Sequence, residues 1–247
     1  MKHSPKFSII TVTYNAATVI EPTLQSIAAQ TYRNFEFLLI DGGSSDGTVE
    51  KVRNSAVEIT CLVSERDKGL YDAMNKGIER ATGDYLCFLN AGDSFRTPDV
   101  LEKVVAAIPE QDTLPDILYG ETAEVDEERN FVRMRRLQAP EKLDWRSFRH
   151  GMLVCHQAFF ASRKLAPAYD LKYRFSADVD WCIRVMKKSK DIVNTHVVII
   201  DYLQNGLSLQ NHRASLIERF RIMAKHYGLL PTLLRHAWFV VRAIIKK

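Results

Sequence analysis

The stretch YLCFLNAGDS, residues 85–94, places a short apolar run directly before a polar turn. Tyr85 to Leu89 has the length and the composition of a buried strand. The run ends in Asn90-Ala91-Gly92-Asp93, a small, flexible turn that carries one carboxylate. A connecting turn does not need an acid at this position, so the pattern indicates a site for a cation or a phosphate at the end of the strand.

The alternation of strand and helix extends on both sides of this stretch, through the first 110 residues. Short β-branched or apolar runs alternate with segments whose apolar residues have helical spacing. The predicted strands cover residues 6–12, 35–40, 59–64 and 85–89. The predicted helices cover residues 19–30, a segment that opens at 45–48, and residues 70–81 and 100–108. Near-continuous apolar strands joined by helices predict an α/β fold whose sheet is mostly parallel and covered on both faces.

The pattern becomes less regular after residue 110. A strand is predicted at 116–121, and a hairpin pairs residues 122–125 with residues 131–136 across the polar turn DEERN. A helix at 181–188 and a strand at 194–202 follow. Two more helices, separated near Gly228 and Pro231, complete the predicted elements as a C-terminal helical extension.

The composition of the 247-residue chain is that of an ordinary globular protein, with 46% apolar and 26% charged residues. The four cysteines form no C-x-x-C pair, so we expect free thiols in a reducing compartment and no zinc site. The first residues lack a signal-peptide pattern, and no run of about 18 apolar residues predicts a spanning helix. These features predict a cytoplasmic protein.

The positive charge of the chain is concentrated near its C-terminus. Residues 213–247 contain eight basic residues and one acid, so this segment carries +7 while the chain as a whole carries +4. A local excess of this size requires a local explanation. Nucleic acid is one conceivable partner, but no nucleic-acid-binding motif accompanies the segment, and we expect none to bind.

Polar groups follow each of the four early strands, where an open parallel sheet binds its ligands. They are Thr13-Tyr14-Asn15, Asp41-Gly42-Gly43, residues 65–69 (ERDKG) and Asn90–Asp93. A dinucleotide site would need G-x-G-x-x-G after the first strand, and that position reads TVTYNAAT. The P-loop pattern is also absent. The dehydrogenase and P-loop classes are therefore excluded.

The succession of motifs resembles the nucleotide-binding half of glycosyltransferase family 2. The segments that carry this resemblance are FSIITVTYN, FEFLLIDGGSSDGT, SERDKGLYDAMNKG and YLCFLNAGD, followed in the same order by LYGE, CHQAFF and FSADVDWCIR. The likeness is greatest to the branch that builds bacterial O-antigen, capsule and exopolysaccharide. It implies a GT-A domain over residues 1–212, with a nucleotide-binding half at 1–110 and an acceptor half at 111–212. Residues 213–247 would form a basic amphipathic helical tail.

The resemblance also implies roles in binding the donor, a nucleoside diphosphate sugar and in particular a UDP-sugar. The positions that would contact its base, ribose, phosphates and sugar are Thr13, Tyr14, Asn15, Asp41, Lys68, Asp72 and Asn90. A carboxylate at Asp41 can accept the imide N–H of uracil, although a simple turn residue would also fit. Asp93 falls on the metal-binding D-x-D position, which implies a divalent cation, Mg²⁺ or Mn²⁺. The motif is reduced here, because Asn90 and Gly92 stand where acids often stand.

The resemblance implies inverting transfer, which needs a base for the acceptor hydroxyl. That base would be Asp178, with Asp180 as the second candidate; both acids could instead stabilise the start of a helix. His156 would form part of the pocket wall or contact the acceptor, although a lone His before an apolar run fits a satisfied core residue equally well. Ser208 would lie in a loop over the diphosphate.

The tail suggests where the reaction takes place. A basic amphipathic segment with a Trp suits the surface of an anionic membrane, which would bring the enzyme to a lipid-linked acceptor on the inner face of the cytoplasmic membrane. A helix packed on the domain, or a homodimer contact, explains the tail equally well. Two other functions stay open, namely a nucleotide-sugar-binding protein that has lost catalysis and a membrane-associated adaptor.

Overall fold

The computed structural model describes residues 4–204 and 212–236, and within these ranges it contains nine strands and seven α-helices. The strands are β1 (Phe7–Thr13), β2 (Phe35–Asp41), β3 (Cys61–Ser64), β4 (Tyr85–Phe88), β5 (Ser94–Phe95), β6 (Ile117–Val125), β7 (Phe131–Met134), β8 (Phe159–Ser162) and β9 (Ile192–Leu203). The helices are α1 (Glu21–Ala28), α2 (Thr48–Arg53), α3 (Leu70–Arg80), α4 (Val100–Ala106), α5 (Ala177–Met186), α6 (His212–Tyr227) and α7 (residues 229–236). Short 3-10 turns cover Ser147–His150 and His156–Ala158.

All the strands belong to one sheet with the order β3-β2-β1-β4-β8-β6-β9-β5, and β7 pairs with the distal half of β6. The first four strands are parallel, with Phe7 opposite both Phe35 and Tyr85. Strand β8 runs against its neighbours β4 and β6, so β6 and β9 again point the same way as β1. Six of these nine strands therefore share one direction, which confirms the predicted mostly parallel α/β sheet.

The strands alternate their apolar side chains between two cores, one on each face of the sheet. Strand β1 shows the rule, because Phe7 and Ile9 pack on the face that carries α1 and α4, whereas Ile10 and Val12 pack on the face that carries α3 and α5. Strands buried on both faces read as continuous apolar runs, which is the sequence pattern seen before the Asn90 turn.

Helix α3 lies unusually close to the sheet at Gly77. A Cβ atom at this position would lie 2.6 Å from Cγ2 of Ile10 on β1. The missing side chain therefore sets the distance between α3 and β1. Since α3 begins at the loop that follows β3, this contact also fixes where that loop meets the edge of the sheet.

Two strands were missed by the sequence-based predictions, and one helix begins earlier than predicted. Strand β8 lies in CHQAFF, and the two-residue β5 follows the Asp93 turn and pairs with β9. Helix α5 starts at Ala177 rather than at residue 181. Its start is supported from α6, because the Glu218 carboxylate accepts backbone N–H groups at 2.8–3.0 Å. The donors are residues 174–176, and no local pattern reveals a partner so distant in sequence.

The C-terminal helix α6 is integrated into the core. Ile222 is fully buried among the residues that pack on α5, and Met223 is buried beside it. Helix α6 therefore packs on α5 through these two side chains. None of the described helices is both long and apolar enough to cross a bilayer.

Candidate active site

A cleft of about 1670 Å³ opens at the carboxyl edge of β1 and β4, between the loops that follow the early strands and the start of α5. The predicted site residues that line it are Thr13, Tyr14, Asn15, Asn90, Asp93, His156 and Asp178. Asp41, Lys68, Asp72 and Asp180 lie outside this lining. Ser208 lies outside the described residues.

The loop after β1 presents an exposed aromatic ring at the mouth of the cleft. Tyr14 is 69% exposed, a high value for a large aromatic residue. Asn15 adopts a left-handed backbone (φ 49°), and its Oδ1 accepts the N–H of Ser45 at 3.0 Å. The Ser44 hydroxyl in turn accepts the N–H of Asn15 at 2.8 Å. The loops after β1 and β2 are thus joined, and Tyr14 remains available to a ligand.

Asp41 is completely buried behind this loop. Its two oxygens accept hydrogen bonds from the hydroxyls of Thr13, Ser44 and Ser64 and from the N–H groups of Gly43 and Ser44. Burial acts to raise the pKa of the Asp41 carboxyl, but these hydrogen bonds outweigh it and the pKa is lowered. The carboxylate therefore holds the cleft loops in place.

A second acid after β3 reaches the cleft, which the sequence-based predictions did not single out. The Asp67 carboxylate lies against Gly42, where a Cβ atom would be 2.5 Å from its Oδ2 and 3.4 Å from the Tyr14 ring. Lys68 is exposed, and the Asp72 carboxylate accepts the Lys68 N–H at 3.0 Å, so Asp72 supports the start of α3. The sequence did contain a sign of this role, because Asp67, in ERDKG, follows a parallel strand at the edge of the sheet where ligands bind.

The turn Asn90–Asp93 forms the opposite wall of the cleft. Asp93 is 5% exposed, and its carboxylate accepts the Gln157 side-chain amide at 2.5 Å and the Leu203 N–H at 2.9 Å. Burial raises the pKa of Asp93 to about 7 despite these bonds. Gly92 has a positive φ of 97°, which a glycine adopts without strain. The turn thus holds a carboxylate whose negative charge is incompletely balanced.

Arg129, at the tip of the β6–β7 hairpin, holds this turn from outside. Its guanidinium donates to the Gly92 carbonyl at 2.6 Å and to the Ser94 hydroxyl. The Arg129 backbone is left-handed (φ 68°), an uncommon conformation for arginine. Arg129 belongs to the polar turn DEERN, and no sequence signal links that turn to Asp93, because the contact exists only when the hairpin folds back.

Other charged side chains line the cleft that sequence reasoning also missed. The basic ones are Arg135 and Arg219, and the acidic ones are Glu124 and Glu127; Arg66, from the predicted group ERDKG, also lines the cleft. Arginines beside a cleft suit phosphate groups, because the planar guanidinium donates two parallel hydrogen bonds.

Asp178, in the first turn of α5, faces the cleft and is half-buried. The Tyr71 hydroxyl donates to its Oδ1 at 3.2 Å. Burial raises the pKa of Tyr71 well above its ordinary value, and the Asp178 charge adds to the effect, so the phenol stays protonated. The carboxylate thus has a fixed orientation and an open side toward the cleft.

Asp180 occupies a different environment two residues later. It is fully buried, and its carboxylate contacts Arg184 at 2.6 Å, His226 at 2.8 Å and Lys225 at 2.9 Å. Burial acts to raise the pKa of Asp180, but the hydrogen bonds from His226 and Lys225 and the charge of Arg184 outweigh it, and the pKa is lowered. Asp180 joins α5 to α6 and does not reach the cleft.

His156 forms an aromatic wall behind Asp178. Its ring stacks on Phe88 at 4.9 Å between centroids, and its Nε2 lies 2.5 Å from the Tyr169 hydroxyl. Burial lowers the pKa of His156 to about 4, so the imidazole is neutral near pH 7. A neutral, stacked ring suits a wall of the pocket better than a proton carrier.

Asn90 and Asp93 are suited to a divalent cation bound together with a phosphate ligand. The Asn90 Oδ1 atom is buried and lacks a hydrogen-bond partner among the described residues, and the Asp93 carboxylate lies on the same turn. Both are hard oxygen donors of the kind that Mg²⁺ and Mn²⁺ prefer. The described residues contain no cluster of three or more acidic, His or Cys side chains, so most ligands would come from phosphate and water.

The sequence of the chain is similar to those of known glycosyltransferases. A family model described as glycosyl transferase family 2 matches residues 8–167. A PGL/p-HBAD biosynthesis glycosyltransferase of Mycobacterium bovis is 37% identical over 210 residues, which cover 82% of this chain and 78% of that protein. An amylovoran biosynthesis glycosyltransferase of Erwinia amylovora is 28% identical over 196 residues, covering 73% and 64%.

Solved structures are similar in fold. TarS of S. aureus in complex with UDP-GlcNAc superposes with a TM-score of 0.66 at 18% identity, covering 95% of this chain and 73% of that chain. A mannosyltransferase of Pyrobaculum calidifontis, in complex with GDP-Man and Mn²⁺, gives a TM-score of 0.60 at 18% identity, covering 97% and 76%. These likenesses confirm the predicted GT-A fold.

Proposed function

Because this chain belongs to glycosyl transferase family 2 and is a glycosyltransferase, we propose that it moves a sugar from a UDP-sugar to an acceptor hydroxyl with inversion at the anomeric carbon. The acceptor is a lipid-linked or oligosaccharide intermediate of surface polysaccharide synthesis. One observation carries this proposal, namely that Tyr14, the Asn90–Asp93 turn and Asp178 line the same cleft.

The nucleotide occupies the side of the cleft formed by the loops after β1, β2 and β3. The uracil ring stacks on Tyr14, whose exposure leaves one ring face for this contact. The Asp67 carboxylate, beside Gly42 and Tyr14, accepts the imide N–H of the base. Asp41 acts through the loops that it holds, since its oxygens already accept hydrogen bonds from five protein groups.

The diphosphate lies against the Asn90–Asp93 turn. Asn90 and Asp93 would hold the divalent cation, which when bound would supply Lewis-acid stabilisation of the charge on the leaving UDP. Arg129 fixes the turn, and the guanidinium groups of Arg135 and Arg219 add positive charge along the cleft. These residues stabilise the negative charge that develops on the diphosphate in the transition state more than they stabilise the bound substrate. This difference lowers the barrier to transfer.

Asp178 is the base. Its carboxylate takes the proton of the acceptor hydroxyl while the hydroxyl oxygen attacks the anomeric carbon from the side opposite the diphosphate. The bond from the anomeric carbon to the phosphate oxygen breaks, and UDP leaves with the electron pair. Tyr71 positions the carboxylate through its hydrogen bond. Asp180 would have to break its contacts with Arg184, Lys225 and His226 to act in the same way, so the geometry favours Asp178.

Donor hydrolysis and transfer across a panel of nucleotide sugars test this proposal, with and without Mn²⁺. Wild type should consume a UDP-sugar, Asp93→Ala should lose the Mn²⁺ stimulation, and Asp178→Asn should bind the donor without transferring its sugar. Asp112→Asn removes an exposed acid remote from the cleft and serves as the control. A wild type that binds UDP-sugars but never breaks the glycosidic bond would instead favour the binding-protein alternative.

A further inference from the structure

Helix α7 exposes an apolar face that the proposed reaction does not use. Leu229, Leu230, Leu233 and Leu234 are 59%, 68%, 47% and 66% exposed. They occupy positions i, i+1, i+4 and i+5, which lie on one broad face of a helix. Thr232 between them is buried and donates to the Gly228 carbonyl at 2.7 Å, so the helix is packed on its opposite side. A contiguous apolar face of this kind marks an interaction surface.

A group of cations surrounds Trp145, next to α7. Arg146 and Lys187 each lie 4.7 Å from the centroid of the indole ring, and Arg149 lies 5.7 Å from it. We call these four residues the Trp145 cluster. The nearby acid Asp144 is 3.9 Å from Arg146 and balances only part of this charge. The side chains of Arg146 and Lys187 are exposed, so the cluster presents positive charge to the solvent.

Contacts of Tyr227 and Arg235, which precede and follow the four leucines in the sequence, hold α7 against the region of the Trp145 cluster. Tyr227, immediately before α7, stacks on Trp145 with centroids 5.6 Å apart, and its hydroxyl donates to the Trp145 carbonyl at 2.5 Å. The Arg235 guanidinium of α7 lies 3.2 Å from Nδ1 of His150, which follows Arg149 in the 3-10 turn Ser147–His150. The packed side of α7 therefore faces the Trp145 cluster, and the leucines lie on the outer side of the same helix.

We infer that this combined surface docks on an anionic lipid bilayer, with the leucines of α7 in the headgroup region and the Trp145 cluster on the lipid phosphates. Burial of the exposed leucines at the acyl boundary removes apolar surface from water and lowers the free energy. Cations near them are complementary to anionic headgroups. Trp and Tyr are the aromatic residues that favour this interface. The inference deepens the proposed function, on which it rests, by naming the surface that brings the enzyme to a lipid-linked acceptor.

The position of the cleft relative to this surface supports that assignment. Helix α6 carries Arg219, which lines the cleft, and Tyr227, which stacks on Trp145. Eight residues of helix separate them, or about 12 Å. Met152, two residues after His150, also lines the cleft. Docking would therefore hold the acceptor side of the cleft close to the membrane.

Flotation of the full chain with vesicles tests the inference, using phosphatidylcholine alone or mixed with phosphatidylglycerol. Wild type should float with the mixed vesicles only. The double variant L230S/L234S should lower the partition coefficient at least about tenfold. Arg146→Ala and Lys187→Ala should each lower it roughly fivefold at low salt and much less at high salt. Val132→Ser, an exposed apolar residue on β7, and Lys103→Ala, on the other face of the sheet, should leave it unchanged.

Three results would overturn the inference: a wild type that does not float, an L230S/L234S variant that floats equally well, or a control variant that loses binding to the same degree. A concentration-dependent dimer that L230S/L234S converts to monomer, without vesicle binding, would assign the leucine face to a second copy. Transfer to a soluble acceptor is measured in parallel and should be equal in wild type and L230S/L234S. A wild type without transfer would refute the proposed function alone, because flotation requires no donor.

Discussion

Replacing Asp180 by Asn tests whether the structural acid of α5 is distinct from Asp178, the proposed base. The substitution keeps the size of the side chain but removes the charge that holds Arg184, Lys225 and His226. Asp178→Asn, in the same helical turn, is the matched control, because the Asp178 carboxylate accepts a single long hydrogen bond, from Tyr71 at 3.2 Å, among the described residues. We expect opposite results, with Asp180→Asn unstable but active and Asp178→Asn stable but inactive.

The magnitude follows from the burial of Asp180. Removing one member of a buried charge cluster costs about 3–5 kcal/mol. Arg184 and Lys225 are 26% and 42% exposed and can regain hydration, so the low end of that range applies. A loss of about 3 kcal/mol in a protein of this size lowers Tm by roughly 6–12 °C.

The pH dependence gives a second measure. The pKa of Asp180 is lowered in the folded protein, so its contribution to stability is present above the ordinary Asp pKa of about 3.9 and is lost as the pH falls through the lowered folded value. The difference in Tm between wild type and Asp180→Asn should therefore shrink below about pH 4.

Calorimetry of both variants measures Tm, and transfer assays at low temperature, where both variants are folded, measure activity. Together they show which acid is structural and which acts as the base. An Asp180→Asn protein that melts with wild type but cannot transfer sugar, beside an active Asp178→Asn, would refute the assignment and make Asp180 the base.

Three other substitutions test the remaining parts of the structure. Tyr14→Ala should weaken UDP binding by about 1–3 kcal/mol in calorimetry without lowering Tm, because the ring is 69% exposed; unchanged affinity would exclude stacking. Gly77→Ala places a Cβ atom 2.6 Å from Ile10 and should cost about 1–3 kcal/mol in urea unfolding, whereas Glu79→Ala on the same helix should not. Asp93 has its pKa raised to about 7, so burial of its charge costs stability increasingly as the pH rises from about 4 to about 7. Asp93→Asn should therefore raise Tm at pH 8 in the absence of metal, and an equal or lower Tm would contradict this.

The sequence predicted the parts of the fold that local patterns encode. The four early strands and their helices were located within a few residues, because apolar runs bounded by polar turns are local signals. Strand β8 was missed because its four residues follow a 3-10 turn and show no alternation of apolar and polar residues. The two-residue β5 exists only through its pairing with β9.

In the site, too, local motifs predicted some residues, whereas contacts between distant parts of the sequence placed the others. Tyr14, Asn90, Asp93 and Asp178 were predicted because motifs mark them, and they line one cleft. Arg129 was missed because its contact with the Gly92 carbonyl crosses 37 positions of the sequence. The ionic contacts of Asp180 with α6 cross 45 and 46 positions, and a single sequence gives no sign of them.

The carboxylate of Glu218 has a consequence for the order in which the molecule assembles. It accepts the backbone N–H groups of Arg174, Phe175 and Ser176, which lead into the helical turn that bears Asp178. That turn reaches its final shape only once α6 has come to rest on it. Because the nucleotide side is built from contiguous segments, we expect it to form first, and the turn that bears the proposed base to form last, when a segment about 40 residues downstream has folded back.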